Sequence, residues 1–312
     1  MISIPVVADA YAEGQENFQV RLSNATGAGL GLKNLATVTI DDEWTSTTVN
    51  PLDEANFFVR QHYLDFLNRE PDEAGLNFWA NEITSCGSDV QCREARTINV
   101  SAAFFLSIEY QETGYFAYRV HKVAFGDGAS PNVSTPVPRI RLQDFLADSQ
   151  SLGHDVRVGI GNWEQQLAAN REAFVRAFVT RSEFTSMYPA TLTPTQFVDQ
   201  LNQNAGNVLT TSEQSQLIAE LTAASDQTSG RASVLGKIAN NSQLRQRETN
   251  RAFVLMQYYG YLRRNPDDPQ DSDFRGWEFW LNKLNEFNGN FVDADMVKAF
   301  LTSGEYRHRF GP

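Results

Sequence analysis

The sequence predicts a mainly α-helical protein, an array or bundle of repeated helical hairpins that follows a short N-terminal antiparallel β segment. One long stretch, FFVRQHYLDFLNREPDEAGLNFW…INVSAAFFLSIEY at 57–110, returns as RAFVLMQYYGYLRRNPDD…FRGWEFWLNKL…MVKAFLTSGEY at 251–306. Internal repetition of this kind fixes an architecture before any single element is considered. The remainder of 53–312 keeps helical spacing of its apolar residues, whereas residues 1–43 alternate apolar and polar side chains.

Composition excludes some classes of partner. The chain has 312 residues with 38 acidic and 26 basic side chains, a formal charge of −12. Nucleic acids and anionic membranes reward basic surfaces, so neither is an expected partner. No apolar run approaches the roughly 20 residues of a membrane span. The N-terminus also lacks the pattern of a signal peptide, so we expect any export signal to lie outside this sequence.

The N-terminal segment, residues 1–43, is predicted to be β-structured. Apolar residues alternate in NFQVRL and again in LATVTI, which is the period of a half-buried strand. The Gly-rich stretch between them, NATGAGLGLKN, is predicted to be a hairpin loop. A strand rather than a helix follows it, so it does not have the context of a phosphate-binding loop.

This segment resembles the C-terminal part of a Calx-beta domain, a β-sandwich. The resemblance rests on a Glu-Gly-x-Glu before a strand, the turn Leu-Ser-Asn-x-Thr-Gly-Ala and the ending Ala-Thr-Val-Thr-Ile-Asp-Asp. It implies a partial sandwich with a calcium site at Glu13, Glu16, Asp41 and Asp42, with Asp9 as a further candidate. Hard oxygen ligands of this kind suit calcium. The structural alternative is a solvated acidic strand end.

Residues 44–52 are predicted to be a Ser/Thr-rich linker, after which the pattern is helical. Asp53 is a candidate N-cap for the first helix, Pro71 ends that helix, and Asp72 caps the next. The closing pattern of each unit recurs at intervals of roughly 60–75 residues. Its four copies lie at 103–110, 177–184, 237–244 and 299–306. The predicted divisions are 53–127 for unit 1, 128–190 for an intermediate helical region, and 191–312 for further units, weak at 197–244 and strong at 253–306.

Both strong units contain an Arg-x-Pro-Asp break, at Arg69–Asp72 and Arg264–Asp267. An Arg at a helix C-terminus and an Asp at the next N-terminus each face a favourable dipole end. The two residues are expected to pair across the corner. Recurrence of the break therefore has a structural explanation.

The helical pattern resembles the bacterial family known as domain of unknown function 4214 (DUF4214), strongly at 57–110 and 253–306. The fixed spacing of Arg-x-Pro-Asp, Gly and Phe-Trp carries the resemblance. It implies helical modules of exported or surface proteins, with no attached activity.

The two cysteines, Cys86 and Cys92, stand on either side of a Gly-Ser-Asp loop. A local disulfide is the preferred interpretation, and it predicts an oxidising compartment. Two reduced thiols at helix ends are the alternative. Two thiols with no nearby histidine do not form a structural zinc site.

Enzymatic chemistry has few candidates. None of the four histidines lies in a metal-binding or Glu-x-x-His motif. Glu278 between Trp277 and Trp280 is typical of a sugar platform, but a glycosidase needs a second placed carboxylate. Because the first unit has Asn77 there and keeps Trp79, core packing is the preferred interpretation. The acidic loop with Asp267, Asp268, Asp271 and Asp273 fails the EF-hand pattern, so helix capping is favoured over weak calcium binding.

We therefore predict a non-enzymatic module of a secreted or cell-surface bacterial protein, with a scaffold or adhesion role. The expected partner is a protein or a surface polysaccharide, and calcium is the one candidate cofactor. A calcium-dependent binding module is the first alternative. An enzyme acting on cell-surface polysaccharide is the second.

Overall fold

The computed structural model describes residues 16–21, 35–40 and 49–311 of the chain. Helices dominate these residues, and the strands form only two small antiparallel pairs. The predicted fold class, mainly α with a short antiparallel β segment, is confirmed.

The first pair consists of β1 (Glu16–Arg21) and β2 (Leu35–Ile40). They run antiparallel with Phe18 opposite Val38, as predicted for a hairpin. The rest of the predicted partial sandwich lies outside the described residues.

The first unit begins with a 3₁₀ turn and continues through four helices. The bounds are Pro51–Asp53 for the turn, Ala55–Leu67 (α1), Glu73–Thr84 (α2), Val90–Phe105 (α3) and Ile108–Glu112 (α4). Asp72 caps α2 as predicted, because its carboxylate accepts the N–H of Gly75 at 2.9 Å. The predicted cap of α1 is wrong by one residue. Glu54 accepts the N–H of Phe57 at 2.7 Å, whereas Asp53 belongs to the preceding turn.

The middle of the chain is also helical. Its elements are α5 (Gly114–Phe125), β3 (Asp127–Gly128), β4 (Val137–Pro138), α6 (Leu142–Gly153), α7 (Trp163–Phe178), α8 (Ser182–Met187), α9 (Pro194–Asn204), α10 (Thr211–Ala223) and α11 (Gln227–Ala239). Residues 128–138 form a loop that is closed at its ends by the β3–β4 pair.

The last unit repeats the first with one variation. Its helices are α12 (Ser242–Gln257), a π-helical turn (Tyr258–Leu262), α13 (Arg275–Glu286), α14 (Met296–Leu301) and α15 (Gly304–Arg307), followed by a 3₁₀ turn (His308–Phe310). Asp273 accepts the N–H of Arg275 at 3.0 Å from one residue before the N-cap position, which Phe274 occupies without a side-chain capping bond.

Two apolar cores support these helices. The first combines the first and last units, and the second combines α7–α11 with one face of α5. Helix α5 belongs to both: Tyr118 faces the first core, whereas Phe116 and Val120 face the second. A helix that is apolar on nearly all sides is expected where it is surrounded by other helices.

The first and last units pack through equivalent residues. Phe66 near the end of α1 and Tyr261 at the same place in the last unit meet edge to face, with ring centroids 5.3 Å apart. Each also packs against the tyrosine that closes its own unit, Tyr110 or Tyr306. Gly260 makes this approach possible, because a Cβ there would lie 2.5 Å from Phe66 Cζ.

Candidate ligand-binding sites

The predicted calcium site falls mostly outside the part of the chain that the structure describes. Glu13, Asp41, Asp42 and Asp9 lie outside the described residues, and Glu16 is described only as the first residue of β1. Within residues 16–21, 35–40 and 49–311, no three His, Cys, Asp or Glu side chains form a group that could hold a metal ion.

The acidic loop of the last unit is neutralised by arginines. Arg141 donates to both carboxylate oxygens of Asp267, at 2.6 and 2.9 Å, and pairs with Asp268 at 3.3 Å. Arg264 donates to Asp271 at 2.7 Å. These ion pairs therefore connect the residue that precedes α6, and the residues that follow the π-helical turn, to the loop.

Glu278 holds the 128–138 loop. One oxygen of its carboxylate accepts the N–H of Ser134, the hydroxyl of Ser134 and the N–H of Thr135, at 2.8–3.0 Å. The hydrogen bonds from Thr135, and to a smaller extent those from Ser134, lower the pKa of the Glu278 carboxyl group. A general acid of a glycosidase needs the opposite shift. The adjacent Trp277 is fully buried.

One of the four histidines, His62, makes two internal hydrogen bonds. His62 is buried between the carbonyl of Phe58, 2.8 Å from Nδ1, and the hydroxyl of Ser101, 2.7 Å from Nε2. That hydroxyl also contacts the hydroxyl of Tyr261, so the bonds cross from the first unit to the last. Burial lowers the pKa of His62 to about 4. A neutral imidazole can donate from Nδ1 and accept at Nε2, as both bonds require.

The arginine of each Arg-x-Pro-Asp break has a different partner from the one predicted. Arg69 donates to both oxygens of Glu109, at 2.8 and 3.0 Å, rather than to Asp72. Arg264 makes the same two bonds to Glu305, at 2.5 and 3.1 Å. Asp72 is occupied as a helix cap. The arginine therefore joins the start of each unit to its closing Glu-Tyr.

The disulfide predicted between Cys86 and Cys92 is present, with the two Cα atoms 5.6 Å apart. It closes the loop between α2 and α3. Val90, inside this loop and first in α3, has a side chain that is 75% exposed.

An apolar groove of about 470 Å³ lies beside this loop, between the first and last units. It is lined by Phe58, Ile83 and Val90 of the first unit and by Leu301 and Tyr306 of the last. Concave, mainly apolar sites with a few polar groups are typical binding sites. Residues of both strong repeats are needed to form this one.

The rim of the groove is charged but internally paired. Arg307 donates to both oxygens of Asp53, at 3.0 and 2.9 Å, and Lys298 pairs with Glu94. The hydroxyl of Tyr306 is buried and has no hydrogen-bond partner among the described residues. Burial raises the pKa of this phenol well above its usual value. The groove therefore offers apolar surface and few unpaired charges.

None of the groove residues was predicted from the sequence to form a binding site. Val90 and Tyr306 come from opposite ends of the helical region, and no local pattern connects them. The sequence repeat was the only available indication of the groove, because two similar units that each carry an aromatic face can pack against one another.

The comparisons with known proteins agree with part of the sequence interpretation. Residues 41–113 match the model of the family described as "Domain of unknown function (DUF4214)", a range that contains the whole first strong unit. No curated protein and no solved structure matches the chain. The Calx-beta resemblance stays a prediction. Among the described residues, no helix is both long and apolar enough to cross a membrane.

Proposed function

We propose that this chain is a non-enzymatic module of a secreted or cell-surface bacterial protein, in which it acts as a scaffold or adhesion element that binds a protein partner. The groove between the first and last units is the observation that carries the proposal. Burial of apolar side chains stabilises a complex by roughly 25 cal/mol per Å² before the costs of association are counted.

The choice of a protein partner over a polysaccharide follows from the chemistry of the groove. Its apolar lining residues include Phe58, Ile83, Val90 and Leu301. A sugar chain would need hydrogen-bond partners for its hydroxyls, and buried hydroxyls without partners are costly. Apolar side chains of a protein segment have no such requirement.

The disulfide supports the assignment to an exported protein, since such bonds persist in oxidising compartments. The thiol state of Cys86 and Cys92 in protein recovered from its own cells tests this part. We expect no alkylation of either cysteine before reduction. Full alkylation of both would contradict export.

Selection of displayed peptides on the purified chain tests the groove. Peptides that bind through apolar side chains should lose at least tenfold in affinity for Val90→Asp, because that change places a charge on the groove wall. The variant should fold, since an acidic residue in the first turn of α3 is favourable. Ile160→Asp is the matched control, because Ile160 is 55% exposed and lies outside the groove. Equal binding to the wild type and both variants would overturn the assignment.

Thermal unfolding in excess calcium and in excess chelator separates this proposal from a calcium-dependent module. A ligand present at 100 times its dissociation constant adds about 2.7 kcal/mol to the free energy of unfolding. We expect equal midpoints in both solutions. A higher midpoint in calcium would support the alternative, and Asp41→Ala would then locate the site.

A further inference from the structure

A second cavity, of about 570 Å³, lies where the two cores of the molecule meet. It is bordered by the end of α5, the β3–β4 pair, the turn after α9 and the middle of α12. Junctions between separately packed regions are frequent places for ligand sites. This cavity differs from the apolar groove because charged and amide side chains dominate its walls.

The charges around this cavity do not balance. Its charged lining residues within the described part of the chain are Lys122, Arg139, Arg247 and Arg251, against Asp127 and Glu248. The lining therefore has an excess of two positive charges, in a chain whose formal net charge is −12. An isolated basic cavity on an acidic protein attracts anions selectively.

Both carboxylates are already used by the two inner cations. Asp127 binds Lys122 at 2.5 Å and Arg251 at 3.1 Å. Glu248 binds Arg251 at 3.1 Å and accepts the hydroxyl of Tyr118 at 2.7 Å. This inner network is close to neutral, although the buried Oδ1 of Asp127 makes no hydrogen bond within the described residues.

The excess charge therefore belongs to Arg139 and Arg247. Arg139 donates through Nε to the carbonyl of Asp127 at 2.9 Å, and Arg247 donates through Nη1 to the carbonyl of Gly206 at 2.8 Å. Neither has a carboxylate partner in the described residues. One backbone bond orients each guanidinium group and leaves its other N–H donors available to a ligand.

The geometry points to a binding site for a phosphate group, either free phosphate or a small phosphate monoester, held between Arg139 and Arg247. Such a group carries about −1.5 to −2 charges near pH 7, which matches the excess. Guanidinium groups bind phosphate oxygens with paired hydrogen bonds. The amide side chains of Gln203 and Asn204 also line the cavity and can contact the remainder of a monoester.

Isothermal titration of the full chain with inorganic phosphate, and separately with glycerol phosphate, tests this site. We expect saturable binding of at least one of them, with acetate binding at least tenfold more weakly because it carries a single charge. Tighter binding of glycerol phosphate would identify a monoester site. Equal or tighter binding of inorganic phosphate would identify a free-phosphate site.

The variants Arg139→Gln and Arg247→Gln should each weaken binding at least tenfold. Both side chains are exposed, so both variants should fold, which an unchanged melting midpoint would verify. Arg157→Gln is the matched control, because Arg157 is exposed and outside the cavity. No saturable binding by the wild type, or equal affinity in the three variants, would overturn the proposal. Because neither cavity shares a residue with the other, this result is independent of the peptide selection.

Discussion

The first and last repeats, 57–110 and 251–306, build the same corner and differ where they touch. In both, an arginine donates twice to the glutamate of the closing Glu-Tyr. Where the first repeat has Asp65, bound by Arg309 at 3.0 and 2.9 Å, the last has Gly260. The shared residues therefore hold each unit together, whereas the residues that differ form contacts between the two units.

A second difference lies one turn earlier in the helices. His62 in the first repeat corresponds to Gln257 in the last, and both are fully buried. Each bonds the carbonyl four residues before it, that of Phe58 or Phe253. Only His62 continues, through Ser101, to the other repeat. Of these two equivalent residues, only His62 therefore belongs to a hydrogen-bond chain between the units.

Gly260→Ala should have the largest effect on stability. Its Cβ would overlap the ring of Phe66, and overpacking of a core costs about 3 kcal/mol. Urea unfolding measures the loss. Gly236→Ala is the control, because the nearest atom to a Cβ there is 3.7 Å away and the residue is within helix α11. We expect that variant to be stabilised by about 0.5–1 kcal/mol. Equal stability of both variants would contradict the close contact between the repeats.

Removal of the disulfide by Cys86→Ser together with Cys92→Ser should lower the free energy of unfolding by about 2 kcal/mol. The unfolded chain regains the entropy that the short closed loop had removed. The last repeat has no cysteine, so reductant should lower the urea midpoint of the wild type and leave the double variant unchanged. A midpoint insensitive to reductant in the wild type would show that the bond does not contribute.

The pH dependence of stability should distinguish His62 from its counterpart Gln257. Because burial lowers the pKa of His62 from 6.5 to about 4, the folded state binds its proton less readily than the unfolded state. The contribution of neutral His62 to the free energy of unfolding is therefore complete above pH 6.5 and is lost as the pH falls toward 4. About 2 kcal/mol should be lost at pH 5.

His62→Gln, which copies the last repeat, should remove this part of the pH dependence. Urea unfolding of both proteins at pH 7 and pH 5 measures the difference. Parallel losses in the two proteins would exclude His62 as the titrating group.

Loss of the closing glutamate should lower the free energy of unfolding by about 1 kcal/mol more in the first repeat than in the last. This is the smallest of the expected effects. Glu109→Gln leaves Arg69 without a carboxylate partner in the described residues, whereas after Glu305→Gln the guanidinium of Arg264 keeps Asp271 at 2.7 Å. Urea unfolding should therefore find Glu109→Gln the less stable variant. The reverse order would mean that Asp271 does not support the second corner.

Local patterns in the sequence predicted the elements of the fold well. The cap at Asp72 and the disulfide at Cys86 were each encoded within a few residues. The partner of Arg69 was not predicted, because Asp72 is the nearer carboxylate in sequence and only tertiary packing brings Glu109 to it.

The candidate sites could not be predicted for the same reason. Val90 and Tyr306 meet in the groove only because the repeats pair, and Arg139 and Arg247 approach the same cavity only because α12 crosses the end of α5. No periodicity within one segment contains that information. The sequence did indicate the acidic residues of the last unit as candidates. They form ion pairs with arginines, as Asp267 does with Arg141.

Native-state hydrogen exchange under increasing urea tests most directly whether the two repeats form one cooperative body. Peptides from α1 (Ala55–Leu67) and α12 (Ser242–Gln257) should open with the same free energy, and Gly260→Ala should lower both by the same amount. If Gly260→Ala lowered protection in α12 and left α1 unchanged, the repeats would be independent units, and the groove between them would lose its structural basis.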